Sequence, residues 1–208
     1  MEPYNVVLLI SIIIFAGSSL LFLFLTATKK KPAYSYALIV SVINLLSSMV
    51  MFDGQLISLS AAGEPLFYTR WIGYMASCTL LMYTISKSVK LAPKYLTRLM
   101  YLTAITMLTG ALASVATGGM MIGYFLIGGL TYLIMIVLVQ KKGERGLGWI
   151  QKYIYYGWTA FPLVFLLSPE GFGAIEVTLA AVLYLGLDVF TKIFFYLELV
   201  KQEKIKKS

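Results

Sequence analysis

Leu187-Asp188-Val189-Phe190-Thr191-Lys192 lies in the middle of an apolar run from Gly173 to about Val200. Such a run is long enough to cross a bilayer, which takes about 20 predominantly apolar residues. Inside hydrocarbon a charge costs about 2.5–3.5 kcal/mol on insertion scales, so it usually faces the protein interior and has a partner. Asp188 and Lys192 are spaced i, i+4, which sets them one turn apart on one helix face. A lone Lys192, eight residues from the end of its run, has a stem long enough to reach toward the interface. Aspartate is too short to do the same, so the spacing predicts a buried ion pair within a single helix.

The rest of the chain fits around that helix. There is no charge from Pro3 to Thr28, and none from Pro32 to Phe52. A third apolar segment, from about Pro65 to Ser86, is interrupted only by Arg70. Leu99 to Gln140 gives 42 uncharged residues, enough for two spans, with Thr117-Gly118-Gly119 as the turn between them. Tyr153 to Pro169 makes a sixth. The expected architecture is an all-α seven-transmembrane-helix bundle forming one domain over 1–208, with spans near 3–28, 33–57, 65–86, 94–116, 119–140, 150–168 and 172–200.

Composition agrees. Of 208 residues, 60% are hydrophobic and 12% charged, about half the charge of a soluble domain. Mean hydropathy is +0.85. No histidine and only one cysteine are present, which removes histidine triads, the usual zinc patterns and any intramolecular disulfide. No metal site, phosphate loop or classical enzyme chemistry is expected. The opening Met1-Glu2-Pro3-Tyr4 lacks the basic start of a cleaved signal peptide, so the first run is read as mature protein.

The net charge of +8 is a topology signal rather than a nucleic-acid footprint. Fifteen of the seventeen Lys and Arg residues follow the first, third, fifth and seventh spans, on one side of the seven-span arrangement. Glu2, Asp53, Glu64, Glu170 and Glu176 lie on the other. The positive-inside rule then puts the N-terminus outside and the C-terminus in the cytoplasm. A buried lysine amine is a candidate nucleophile toward an aldehyde, giving a Schiff base. A carboxylate one turn away favours the protonated form of that base.

At this point the chain resembles a microbial (type 1) rhodopsin. Its seventh span matches that family's retinal-binding helix, with the aspartate four residues before the lysine. The sixth, Trp158-Thr159-Ala160-Phe161-Pro162-Leu163-Val164-Phe165, is similar to the family's helix F. Trp158, Phe161 and Phe165 share one face, and Pro162 is expected to kink the span. The resemblance implies all-trans-retinal bound to Lys192 as a protonated Schiff base, with Asp188 as counterion. Tyr74, Cys78, Gly110, Trp158, Phe161, Pro162, Phe165 and Thr191 would line the retinal pocket. Arg70, Ser77 and Thr84 would form the proton pathway.

The third span, Arg70 to Thr84, bears on direction. Outward proton pumps of the family carry carboxylates where this chain has Gly73 and Thr84. Arg70-Trp71-Ile72-Gly73-Tyr74-Met75-Ala76-Ser77-Cys78 is similar instead to the schizorhodopsins, which are light-driven inward proton pumps. Gly73 and Thr84 depart from that branch, which has phenylalanine and glutamate there. The start of the span also resembles heliorhodopsins, but those have inverted topology. The expected function is light-driven inward proton transport in the cell membrane. The alternatives are a light sensor with little transport, and a seven-helix transporter or receptor without photochemistry. Ordinary roles exist for the same residues: Cys78 as a small buried hydrophobe, Ser77 bonded to its own helix. The expected partners are the lipid bilayer and further copies of the chain, a trimer by family analogy, with no nucleic acid and no obvious signalling partner.

Overall fold

The computed structural model describes residues 2–55, 58–59, 65–142 and 148–205. Glu64, Arg145, Lys206 and Lys207, which enter the charge reading, lie outside them. Seven helices follow one another: α1 Pro3–Lys29, α2 Pro32–Phe52, α3 Tyr68–Ser88, α4 Pro93–Val115, α5 Gly118–Lys142, α6 over 148–167 and α7 over 177–205. Proline opens α1, α2 and α4, where its missing N–H is one the helix leaves unpaired anyway. Successive helices pack side by side from α1 to α5, and α7 closes the bundle against α1 and α2.

α1, α2, α4, α5 and α7 are each long and apolar enough to cross a membrane. α3 is less apolar because it is the most interior: eleven of its 21 residues are buried, Arg70, Ser77, Thr84 and Ser86 among them. Outward faces carry Ile13, Leu20, Phe24, Leu126 and Leu130, all well exposed and suited to lipid. Within the helices, hydroxyls of Ser77, Thr84, Thr103 and Thr109 bond to carbonyls one turn earlier, which satisfies them without water.

Three boundaries differ from the sequence expectation. α2 stops at Phe52 rather than near 57, because Gly54 adopts φ +71° and turns the chain away. Pro65 does not open the third helix. Pro65–Leu66 (β2) pairs antiparallel with Ser58–Leu59 (β1), a position where proline's missing N–H is tolerated, and α3 begins at Tyr68. The small strand pair is also a departure from a purely α chain. α7 begins at Val177 rather than 172, since residues 168–175 fold back on the end of α6. That loop needs Gly171, where a Cβ would collide with the Phe165 carbonyl oxygen.

α6 and α7 each contain a π-helical turn, Ile154–Trp158 and Val189–Phe194. The wider turn disturbs the regular backbone ladder, and in lipid every carbonyl still needs a partner. Tyrosines supply it. Tyr132 OH donates to the Ile154 carbonyl at 3.2 Å, and Tyr153 OH donates to that of Thr191. The two turns face each other, with the Gly157 Cβ position 3.1 Å from Thr191 Cγ2. Lys192 sits inside the second.

Candidate functional site

Lys192 is 1% exposed and Asp188 9%. Lys192 Nζ donates to Asp188 Oδ1 at 2.6 Å, so the i, i+4 pair read from the sequence forms. Nζ also donates to Asn44 Oδ1 of α2 at 2.7 Å and lies 3.7 Å from the centre of the Tyr74 ring. Tyr74 OH donates to the other Asp188 oxygen, Oδ2, at 2.9 Å. Both carboxylate oxygens therefore accept from a proton donor, which is what a buried charge requires.

Beside this pair lies an apolar cavity of about 80 Å³ between α3, α4, α5, α6 and α7. Tyr74, Cys78, Gly110, Trp158, Phe161, Pro162, Phe165 and Thr191 all line it. Its far wall comes from Tyr124, Phe125 and Tyr132 of α5, which the sequence reading did not single out. The rings brace one another: Phe125 stacks on Phe165 at 5.6 Å, and Tyr74 meets Phe161 edge-on at 5.4 Å. Gly110 is tight against the indole of Trp71, since a Cβ there would come within 2.5 Å of it. A buried amine beside an aromatic slot suits a long conjugated aldehyde: the amine can bond it covalently and the rings can sandwich the polyene.

The proton-pathway candidates fall in three places. Arg70 lies inside the bundle. It is 5% exposed, bonds Glu170 Oε1 at 3.3 Å, and stacks over the Tyr184 ring at 4.0 Å. Glu170, which the charge pattern places in a loop, is buried. The Gly171 turn tucks it inside, where Trp71 Nε1 also donates to it at 3.1 Å. Burial pushes its carboxyl above the ordinary glutamate range, against the opposing pull of Arg70. A second, polar cavity of about 20 Å³ separates Arg70 from Asp188 and is lined by Ser11, Asn44, Ser48 and Tyr74. Ser77 is fully buried and donates to the Gly73 carbonyl at 2.9 Å, the ordinary helix role.

Thr84 lies on the opposite side of Lys192. Its hydroxyl donates to the Leu80 carbonyl at 3.0 Å and lies 3.2 Å from Tyr196 OH. Tyr196 is fully buried and stands four residues after Lys192, so it shares that face of α7.

The bacteriorhodopsin-like protein family matches this sequence over residues 3–202. Schizorhodopsin 4 superposes with a TM-score of 0.89 at 28% identity, over 93% of this chain and 96% of that one. The proton-pumping rhodopsin AR2 of the marine alga Acetabularia acetabulum gives 0.88 at 18% identity, covering 100% and 98%. The thermophilic rhodopsin of Rubrobacter xylanophilus gives 0.84 at 20%, covering 95% and 94%. No curated protein sequence matches. With the family matched from α1 through most of α7, the chain belongs to the bacteriorhodopsin-like proteins: it is a microbial rhodopsin similar to the schizorhodopsins and a multi-pass protein, expected in the cell membrane.

Proposed function

We propose that this chain is a light-driven proton pump that moves protons inward, with retinal held on Lys192 as a protonated Schiff base. Family membership and the likeness to schizorhodopsin 4 support a light-driven ion pump with a retinal chromophore. Bound retinal supplies light absorption and a change of shape at Nζ. The chain's own residues decide where the proton of Nζ goes.

One observation carries the direction: Asp188 is the carboxylate bonded to Nζ, and Tyr74 already holds its second oxygen. Gly73 offers no acid, and a Cβ there would meet Ser47 Oγ at 2.8 Å. Glu170 is tied to Arg70 and Trp71 beyond the small polar cavity. On the other side, the Thr84–Tyr196 hydroxyl pair replaces a carboxylate as a relay that passes a proton without storing it. By the positive-inside reading that side is the cytoplasm. Return of the proton then runs from the Arg70 side through the polar cavity.

The test is reconstitution with all-trans-retinal followed by illumination of cells in unbuffered medium. Wild type should become coloured and turn the medium alkaline. Lys192→Ala should do neither. A coloured wild type that moves no protons would instead be a light sensor.

A further inference from the structure

We infer that Asn44 is a second acceptor for the Lys192 Nζ proton, set on the Arg70 side of the amine, that takes the hydrogen bond when the N–H turns from Asp188 but cannot take the proton. This rests on retinal attachment at Lys192 and on the inward direction proposed above.

A lysine ammonium has three N–H donors. In this structure one goes to Asp188 Oδ1 at 2.6 Å and one to Asn44 Oδ1 at 2.7 Å. Attachment of an aldehyde at Nζ removes two of the protons with the aldehyde oxygen as water and leaves one on the nitrogen. Two acceptors at nearly equal distance then compete for a single donor. The charged one holds it in the dark, because the cationic N–H is drawn to the full charge of Asp188 more strongly than to the dipole of the Asn44 amide. Asn44 is the acceptor left over.

Asn44 is fixed for that part. Its Nδ2 donates to the Val40 carbonyl at 2.7 Å. That carbonyl can only accept and Nζ can only donate, so chemistry alone decides which end of the amide faces Lys192. Its backbone carbonyl is held in turn by Ser48 Oγ at 2.9 Å, and Ser48 pairs with Ser11 at 2.8 Å. Asn44 is 4% exposed and lines the polar cavity that leads to Arg70. A carboxylate there would add a second base beside Asp188 on the cavity that both residues line. An amide oxygen is a good acceptor and a negligible base. An N–H that swings toward it is held until it can be lost only in the other direction.

The chain has two asparagines, Asn5 and Asn44, which makes the test clean. The full-length pigment is produced with asparagine carrying a labelled side-chain carbonyl, and its light-minus-dark infrared spectrum is recorded, with Asn5→Gln removing the second signal. The labelled band should move to lower frequency under illumination, as expected for a carbonyl that gains a donor. A band that does not respond overturns the inference. Asn44→Asp tests the same point independently. Its pigment should absorb at shorter wavelength than wild type, and its inward transport should fall or reverse; an unchanged spectrum with unchanged transport also overturns it. A wild-type chain that forms no pigment overturns the proposed function and this inference together, whereas a pigment with a silent Asn44 overturns this inference alone.

Discussion

Tyr74→Phe deletes one oxygen at the centre of the site and leaves nearly everything else in place. The ring stays under Nζ, and its edge-on contacts with Trp71 at 5.9 Å and Phe161 at 5.4 Å do not need the hydroxyl. What goes is the 2.9 Å bond from Tyr74 OH to Asp188 Oδ2. A hydrogen bond to a buried charged group is worth about 1.5–3 kcal/mol. The adjoining polar cavity of about 20 Å³ has room for one water, which needs roughly 10–15 Å³. That water recovers part of the loss, so the net cost is about 1–2 kcal/mol. At about 2–4 °C per kcal/mol for a chain of this size, melting of the purified pigment should fall by roughly 2–8 °C. Tyr74→Ala also removes the ring and should cost about 3–5 kcal/mol. The two variants should therefore separate clearly in a thermal melt followed by visible absorption. The spectrum gives a second reading. Without Tyr74 OH, Asp188 directs its charge more fully at Nζ, and the Tyr74→Phe band should move to shorter wavelength. Equal destabilisation by Phe and Ala, with no spectral shift, would refute the claim that the hydroxyl anchors Asp188.

Three further outcomes follow from the same geometry. Tyr196→Phe removes a neutral hydrogen bond worth about 0.5–1.5 kcal/mol, and Thr84 keeps its bond to Leu80, so stability should barely change. Flash photolysis should nevertheless show slowed proton release, and unchanged kinetics would remove Tyr196 from the pathway. Gly110→Ala forces a Cβ to within 2.5 Å of Trp71, and overpacking of this kind costs about 1–3 kcal/mol; a lower melting temperature and slower retinal uptake should accompany it. Glu170→Gln bears on pH. Burial raises the Glu170 carboxyl above its ordinary 4.5, so the folded chain binds that proton more tightly than the unfolded one. Stability from this group is then greatest in acid and falls as pH rises from about 4.5 through the raised value. The variant should lose that slope in thermal melts between pH 4 and 8, and an identical slope would show that Glu170 does not titrate there.

Much of the fold was legible because lipid imposes a simple code. Uncharged runs marked the helices and lysines marked one face. The Asp188–Lys192 pair stood out because two opposite charges one turn apart have few other uses in such a run. The aromatic face of α6 was visible from spacing alone. Other parts carried no such mark. Asn44 is uncharged and sits among serines in an apolar span; its signal was an amide near the middle of that span. Tyr196 was hidden in Phe194-Phe195-Tyr196, although its four-residue offset from Lys192 pointed to it. Glu170 looked like a loop residue because its burial depends on the Gly171 turn, a backbone property. The π-helical turns likewise depend on tyrosines from neighbouring helices, which no local pattern encodes. The α5 wall of the cavity has aromatic residues at spacings common to any packed helix.

The most direct measurement is the sign of the light-driven pH change. Cells expressing the chain and supplied with all-trans-retinal are illuminated in unbuffered medium, with and without protonophore. Inward pumping predicts reversible alkalinisation that protonophore abolishes and Lys192→Ala lacks. Acidification of the medium under light would contradict the account, because it would require an outward acceptor for the Nζ proton that Asp188, held by Tyr74 and Lys192, is not placed to provide.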